Sequence, residues 1–225
     1  MRLRLFIHTT AWWCFMGILL FGAAGTFRWA AGWVFLAEAE VMSVLIGNWL
    51  ARHDPGLLEE RMKFPVRREQ PGWDRFLMSL FMTLFVAWLA LMAVDANRLG
   101  WWRMPVWAQV SGALGVAMSN LVGWQVFKVN SFAAPVVRLQ SERRHSVITT
   151  GVYAYVRHPM YAGSMFLMFG LPLLLGSWIG LMAAPLLVLL FSLRIIKEEE
   201  LLRRELEGYE DYARRVRWRL IPYVW

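Results

Sequence analysis

Cysteine is almost absent. Cys14 stands alone in 225 residues, so the chain has no internal disulfide, and its apolar surroundings mark it as a small packing residue. Charge is scarce as well: 18% of residues are Asp, Glu, Lys or Arg, against about 25% in a typical soluble domain. With 58% hydrophobic residues, that balance excludes an ordinary soluble globule and points to an integral membrane protein. No glycine-rich strand-turn-helix fingerprint occurs, which leaves a Rossmann nucleotide site unsupported. The four histidines show no HExxH spacing, so the sequence carries no sign of metal catalysis. Internal repeats and low-complexity tracts are missing too, and the chain reads as a single membrane domain, 1–225.

What is present is apolar length. A membrane-crossing helix needs about 20 predominantly apolar residues, and about six segments are candidates, at 5–27, 33–51, 75–94, 105–127, 159–176 and 178–196. The last two are separated only by the turn at Gly176-Ser177, so they form a tight hairpin. The expected fold is an all-α polytopic transmembrane bundle, with 1–129 as a four-span part and 130–225 as the part that carries the site. The first run exceeds a usual signal-peptide core, so it is expected to remain as the first span. Tryptophans near the span ends, among them Trp29, Trp101, Trp102, Trp107 and Trp178, form an interfacial belt. Gly115, Ser119 and Gly123 recur every four residues, a spacing that lets a neighbouring helix come close.

The net charge of +8 does not signal nucleic acid, because its distribution is topological. Arg52, Arg61, Lys63, Arg67, Arg68 and Arg75 cluster after span two. Lys128, Arg138, Arg143, Arg144 and Arg157 follow span four, and Lys197 through Arg219 follow span six. The intervening loops carry only Arg28, Arg98 and Arg103, which predicts both termini on the cytoplasmic side. The loop 51–72 reads as polar and turn-rich, in contact with lipid headgroups or water. Past span six, Leu202, Leu206, Tyr209, Ala213 and Val216 recur at helical spacing with charges between them, which predicts a C-terminal amphipathic helix on the membrane face.

Two places depart from this greasy background. In span two, Glu38 and Glu40 lie two residues apart, so they point to nearly opposite faces. Glu38 shares its face with Val41, Leu45 and Asn48, giving a polar line through the bundle; the alternative is that both acids sit near the interface or pair with a neighbouring helix. The second place is richer. Gly151 to Gly163 packs a glycine turn, three tyrosines, Arg157 and His158 against the start of span five, and Arg194 to Glu200 closes span six. Pro159 suits the first helical position, which leaves the backbone N–H groups and positive end of span five facing the loop, ready for an anion. Tyr153 and Tyr161 offer ring faces to a cation. Glu198 can accept two hydroxyl hydrogen bonds. A ligand with a cationic centre, a carboxylate and a ribose suits that inventory. S-adenosylmethionine is one such ligand, although residue types alone do not single it out.

Gln140, His145-Ser146-Val147-Ile148, Gly151, Tyr153, Arg157-His158-Pro159-Met160-Tyr161, Gly163 and Arg194 followed by Glu198-Glu199 together resemble the isoprenylcysteine carboxyl methyltransferase family. More broadly they resemble the integral-membrane methyltransferases that include phospholipid N-methyltransferases. The resemblance covers roughly residues 130–225. It implies that Gln140, His145, Ser146, Val147, Ile148, Tyr153, His158, Pro159, Met160, Tyr161 and Glu198 bind S-adenosylmethionine, and that Arg194 faces the methyl acceptor. The segment after Glu199 lacks the phenylalanine-glycine pair common in the isoprenylcysteine enzymes, which leaves the acceptor open: carboxyl O-methylation is favoured, N- or S-methylation remains. The expected partners are a lipophilic or lipid-linked acceptor and membrane lipids, in a bacterial inner membrane. Two rivals stand beside this reading, an NADPH-dependent reductase of the steroid or sterol type and a non-enzymatic membrane protein.

Overall fold

The computed structural model describes residues 2–225, and among them the regular structure is helical. Helices α1 (Arg2–Ala24), α2 (Ala30–His53), α4 (Gly72–Val94) and α5 (Val106–Val129) are joined by short connections, with α3 (Pro55–Met62) between α2 and α4. Helices α6 (Pro159–Leu175), α7 (Trp178–Glu205) and α8 (Tyr209–Arg215) complete the chain. Five stretches are long and apolar enough to cross a membrane: those of α1, α2, α4 with its extension to Leu99, α5 and α7. The sixth expected span, α6, is apolar but has 17 residues.

Several helix ends follow from local sequence. Pro159 is the first residue of α6, and Gly176 closes it in the left-handed region. Ser177 then caps α7 by accepting the Gly180 amide at 2.9 Å. The Ser177 hydroxyl also donates to Asp95 at 2.7 Å, and the Ile179 amide reaches the same carboxylate at 3.1 Å. The hairpin turn is therefore held by the far end of α4. At the opposite end, α7 runs on to Glu205, and its 28 residues span about 42 Å, beyond the roughly 30 Å of a hydrocarbon core.

Three expectations need correction here. The loop 51–72 contains α3, whose Asp54 cap accepts the Leu57 amide at 2.9 Å and which buries Leu57, Leu58 and Glu60. Turn residues hid this short helix, because a cap followed by Pro55 reads equally as a loop. The C-terminal amphipathic helix is broken: α7 continues through Leu202, and Gly208 at φ 80° starts the separate α8. The Glu38 face is not a polar line through the bundle, since Val41 and Leu45 are exposed on the outside of the helices. Glu40 accepts from Thr10 at 2.9 Å.

The close approach of α5 and α6 is real but lies one turn away from the predicted stripe's end. A Cβ at Gly112 would fall 2.2 Å from the Leu174 amide nitrogen, so only glycine fits there. Gly115 meets the Gly170 backbone, whereas Gly123 touches nothing. The apolar core of the bundle runs through Leu20, Leu89, Met92, Met168 and Leu171.

Candidate functional site

At the start of α6, where α7 leaves the bundle, the chain encloses a cavity of about 450 Å³, within the usual range of ligand sites. One end is polar, with His158, Tyr161 and Glu198. The other is apolar, with Met78 and Phe81, and the Phe191 ring lies between the two ends, its centroid 4.5 Å from that of Phe81 and 5.4 Å from that of Tyr161. The loops before α6 form a further wall, including His145, Ser146, Val147, Ile148 and Tyr153, with Pro159 and Met160 on α6 itself. Ten of the eleven residues that the resemblance points to for the cofactor thus line one cavity, and Arg194 lines it too.

The exception is Gln140. It is 1% exposed, does not line the cavity, and ties its own loop together. Its amide donates to the Phe132 carbonyl at 2.9 Å and accepts from Arg143 at 2.8 Å. Both ends of the amide thus have partners within the loop, and the structure does not bring Gln140 together with the other ten.

The Arg157-His158 pair is fixed from two sides. Its backbone amides donate to the Trp218 and Arg219 carbonyls, each at 2.9 Å, so the C-terminal tail runs beside it. Its side chains converge on Glu199, which is 3% exposed. That carboxylate accepts from Arg157 Nε at 2.7 Å, His158 Nε2 at 3.1 Å and Arg219 Nε at 3.1 Å. A buried carboxylate among cations is tolerated because every lone pair is matched. The second glutamate of the pair is thus an internal clamp. Sequence reasoning missed it, since neighbouring glutamates on a helix look alike until their faces are resolved.

Glu198 faces the cavity. It accepts the Tyr161 hydroxyl at 2.8 Å on one oxygen, while the other makes no hydrogen bond among the described residues. The Tyr209 hydroxyl is buried beside the same space and has no partner among the described residues. A buried hydroxyl without a partner is unfavourable unless a ligand or water meets it. Burial also pushes the Tyr209 and Tyr212 hydroxyls above the ordinary tyrosine range, and that of Tyr153 up to about 12, so all three are neutral donors. Tyr153 accepts from Asn130 at 2.6 Å, and Tyr212 donates to the Tyr153 carbonyl at 2.8 Å. His145, held below its usual value by burial and by Arg143 and Arg138, is neutral near pH 7. Among the described residues no side chain caps α6, whose first-turn residues Pro159, Met160 and Tyr161 line the cavity. An acceptor carboxylate, a neutral hydroxyl donor and a helix N-terminus fit a zwitterionic nucleoside of the S-adenosylmethionine type.

Arg194 lies between the polar and apolar ends but is not free. Its Nε donates to Asp74 Oδ1 at 2.7 Å, and one Nη donates to the Pro135 carbonyl at 2.9 Å. Asp74, fully buried in the first turn of α4, also accepts from Gln70 at 2.6 Å and from the Val137 amide at 3.1 Å. The guanidinium sits 5.8 Å from the Tyr161 ring centroid. Two of its donors are thus committed to holding the loop 135–137 against the helices. Asp74 carried no sequence signal apart from its place at a helix start.

Comparison with known proteins gives a consistent answer for the second half of the chain. Residues 107–207 match the family model described as phospholipid methyltransferase. Over 83 residues the chain is 36% identical to a protein-S-isoprenylcysteine O-methyltransferase of Schizosaccharomyces pombe, covering 36% of this chain and 35% of that protein. It is 35% identical, again over 36% of this chain, to a probable protein-S-isoprenylcysteine O-methyltransferase of Oryza sativa subsp. indica, covering 44% of it. The matched stretch therefore spans less than half the length of these curated relatives. A solved eukaryotic intramembrane Ras methyltransferase, isoprenylcysteine carboxyl methyltransferase, aligns over 99% of this chain and 85% of its own, with a TM-score of 0.48 and 18% identity. The chain is similar to integral-membrane methyltransferases of the isoprenylcysteine carboxyl and phospholipid type.

Proposed function

Starting from that similarity, we propose that the chain is an S-adenosylmethionine-dependent membrane methyltransferase acting on a lipophilic acceptor, with carboxyl O-methylation as the favoured reaction. One observation carries the reading: a single cavity joins the open edge of Glu198, the unpartnered Tyr209 hydroxyl and the α6 N-terminus to an apolar end at Met78 and Phe81. The cofactor, when bound, supplies a methyl group already activated on a sulfonium.

The residues then have to bind, align and keep water out, which is where most of the rate enhancement of such a transfer arises. Glu198 accepts ribose hydroxyls, the α6 N-terminus takes the amino-acid carboxylate, and Tyr209 donates one further hydrogen bond. The Glu199 clamp holds Arg157 and His158 in place rather than touching the donor. Arg194, anchored by Asp74, orders the wall between donor and acceptor. Residues 1–129 act as the bundle that braces the cofactor-binding part, 130–225, within one membrane unit. The lysine and arginine distribution supports cytoplasmic termini and a cytoplasmic cofactor entrance.

Calorimetry on the purified protein in detergent tests this. S-adenosylhomocysteine is expected to bind and NADPH is not; the reverse result would establish the reductase alternative. Glu198→Gln is expected to weaken S-adenosylhomocysteine by about 10- to 100-fold, as loss of a charged hydrogen-bond acceptor does, with little change in unfolding temperature.

A further inference from the structure

A second cavity, of about 400 Å³, lies among α1, α2, α3, α5 and α6. Leu5, Ile46, Leu50 and Phe127 give it apolar walls, and His8 and Asn120 give it polar ones. It adjoins the donor cavity: Arg61, Met160 and Ser164 line both. Met160 directly precedes Tyr161, so the shared wall abuts the residues assigned to the donor.

Arg61 is the one charged residue of that shared wall. One Nη donates to the Ala133 carbonyl at 2.8 Å, and the guanidinium lies 4.3 Å from the Phe127 ring centroid. Arg67, Arg138, Arg157 and Arg194 each pair with a carboxylate. Arg61 forms no ion pair among the described residues, and its remaining N–H groups make no hydrogen bond there. Burial draws its pKa down to about 10, so it stays protonated near neutral pH. A half-buried cation without a counter-ion is less favourable than a paired one, and an incoming anion relieves it. The planar fork then offers two parallel donors to a carboxylate or phosphate.

We infer that Arg61 anchors the anionic head, carboxylate or phosphate, of an acceptor whose apolar chain occupies the space between the helices. The inference rests on the methyl-transfer reading, and it moves acceptor recognition from Arg194 to a residue outside the matched stretch 107–207. The chemistry balances with either head. An acceptor oxygen forms the new C–O bond as the methyl–sulfur bond breaks, the bonding pair stays on sulfur, and the sulfonium becomes a thioether. No proton is released from a carboxylate, so no base is needed. Methylation of a carboxylate gives a neutral ester that the cation no longer holds, whereas methylation of a phosphate monoester leaves a singly charged diester that it still faces.

The test compares wild type, Arg61→Gln and Arg61→Lys, all with the full chain in detergent. Three probes carry the same 15-carbon prenyl chain: a thioether carboxylic acid, its methyl ester and a phosphate monoester. The acid is expected to bind wild type about 10- to 100-fold more tightly than Arg61→Gln, with Arg61→Lys between them and the ester unchanged throughout. The same loss confined to the phosphate probe would keep the anchor and assign a phosphate head. Equal binding of every probe by wild type and Arg61→Gln would overturn the anchor, as would equal affinity of wild type for the ester and both anionic probes. S-adenosylhomocysteine affinity, measured in parallel, should be the same in all three proteins. A fall in Arg61→Gln that Arg61→Lys restores without restoring the acid would mark Arg61 as structural and sink the proposal. Failure of wild type to bind S-adenosylhomocysteine at all would instead refute the methyl-transfer reading, and the acid-to-ester ratio would still decide the anchor.

Discussion

The two halves of the chain, before and after residue 106, use buried charge in opposite ways. In the second half, charges converge: Arg157, His158 and Arg219 meet on Glu199, and Glu198 beside it faces the cavity. In the first half, buried carboxylates are scattered, and each reaches across to the other half. Asp74 holds Arg194 and the Val137 amide, Asp95 holds Ser177 and the Ile179 amide, and Glu60 lies 3.4 Å from Arg138. Glu60, flanked also by Lys63 and Arg67, has its pKa held near about 2 against the upward pull of burial. On the proposed reading the first half is therefore a brace whose polar contacts shape a cavity lined largely by the second. A region without a motif can still set the geometry of one that has it.

Substitutions can break that comparison. The largest effect is expected from Glu199→Ala, which leaves Arg157 and His158 buried without their carboxylate. Loss of one partner from a buried pair costs about 3–5 kcal/mol, so denaturant unfolding in detergent should show a drop of that size together with lost S-adenosylhomocysteine binding. Near-native stability would mean that the tail contacts of Arg157, rather than Glu199, hold the box.

Asp74→Asn probes the brace. Removing the charge that faces Arg194 is expected to lower stability by about 1.5–3 kcal/mol and to weaken S-adenosylhomocysteine as well, because the loop 135–137 loses its anchor. If affinity is untouched, the second half builds its site alone and the contrast drawn above fails.

The smallest effect should come from Tyr209→Phe. It removes a buried hydroxyl that has no partner, so the unliganded protein should be as stable as wild type or up to about 1 kcal/mol more stable. Cofactor-analogue affinity should still fall by about two- to tenfold. Unchanged affinity would show that this hydroxyl meets no ligand.

Much of the site could be read before the fold was known. The Arg157-to-Tyr161 box with Glu198 four residues after Arg194 announced a polar corner at a helix start, and those side chains do share a cavity. That Gln140 turns into its own loop was not legible, because an amide in a polar loop carries no mark of which way it turns. Tyr209 was legible only as an apolar position in a helical pattern, since an unpartnered hydroxyl exists only relative to what surrounds it. Helix α3 was lost among turn residues, and with it the placement of Glu60 and Arg61.

Composition and apolar length alone fixed the helical membrane class, because the bilayer admits few ways to satisfy a backbone. The same is true of the hairpin and of the identity of the polar box, which depend on local order along the chain. Which glutamate clamps and which faces the ligand, which arginine is paired and which is not, and the bridge from Asp74 to Arg194 were settled only by packing. These are distances between residues far apart in sequence, and helical periodicity says on which face a residue lies but not what that face will meet.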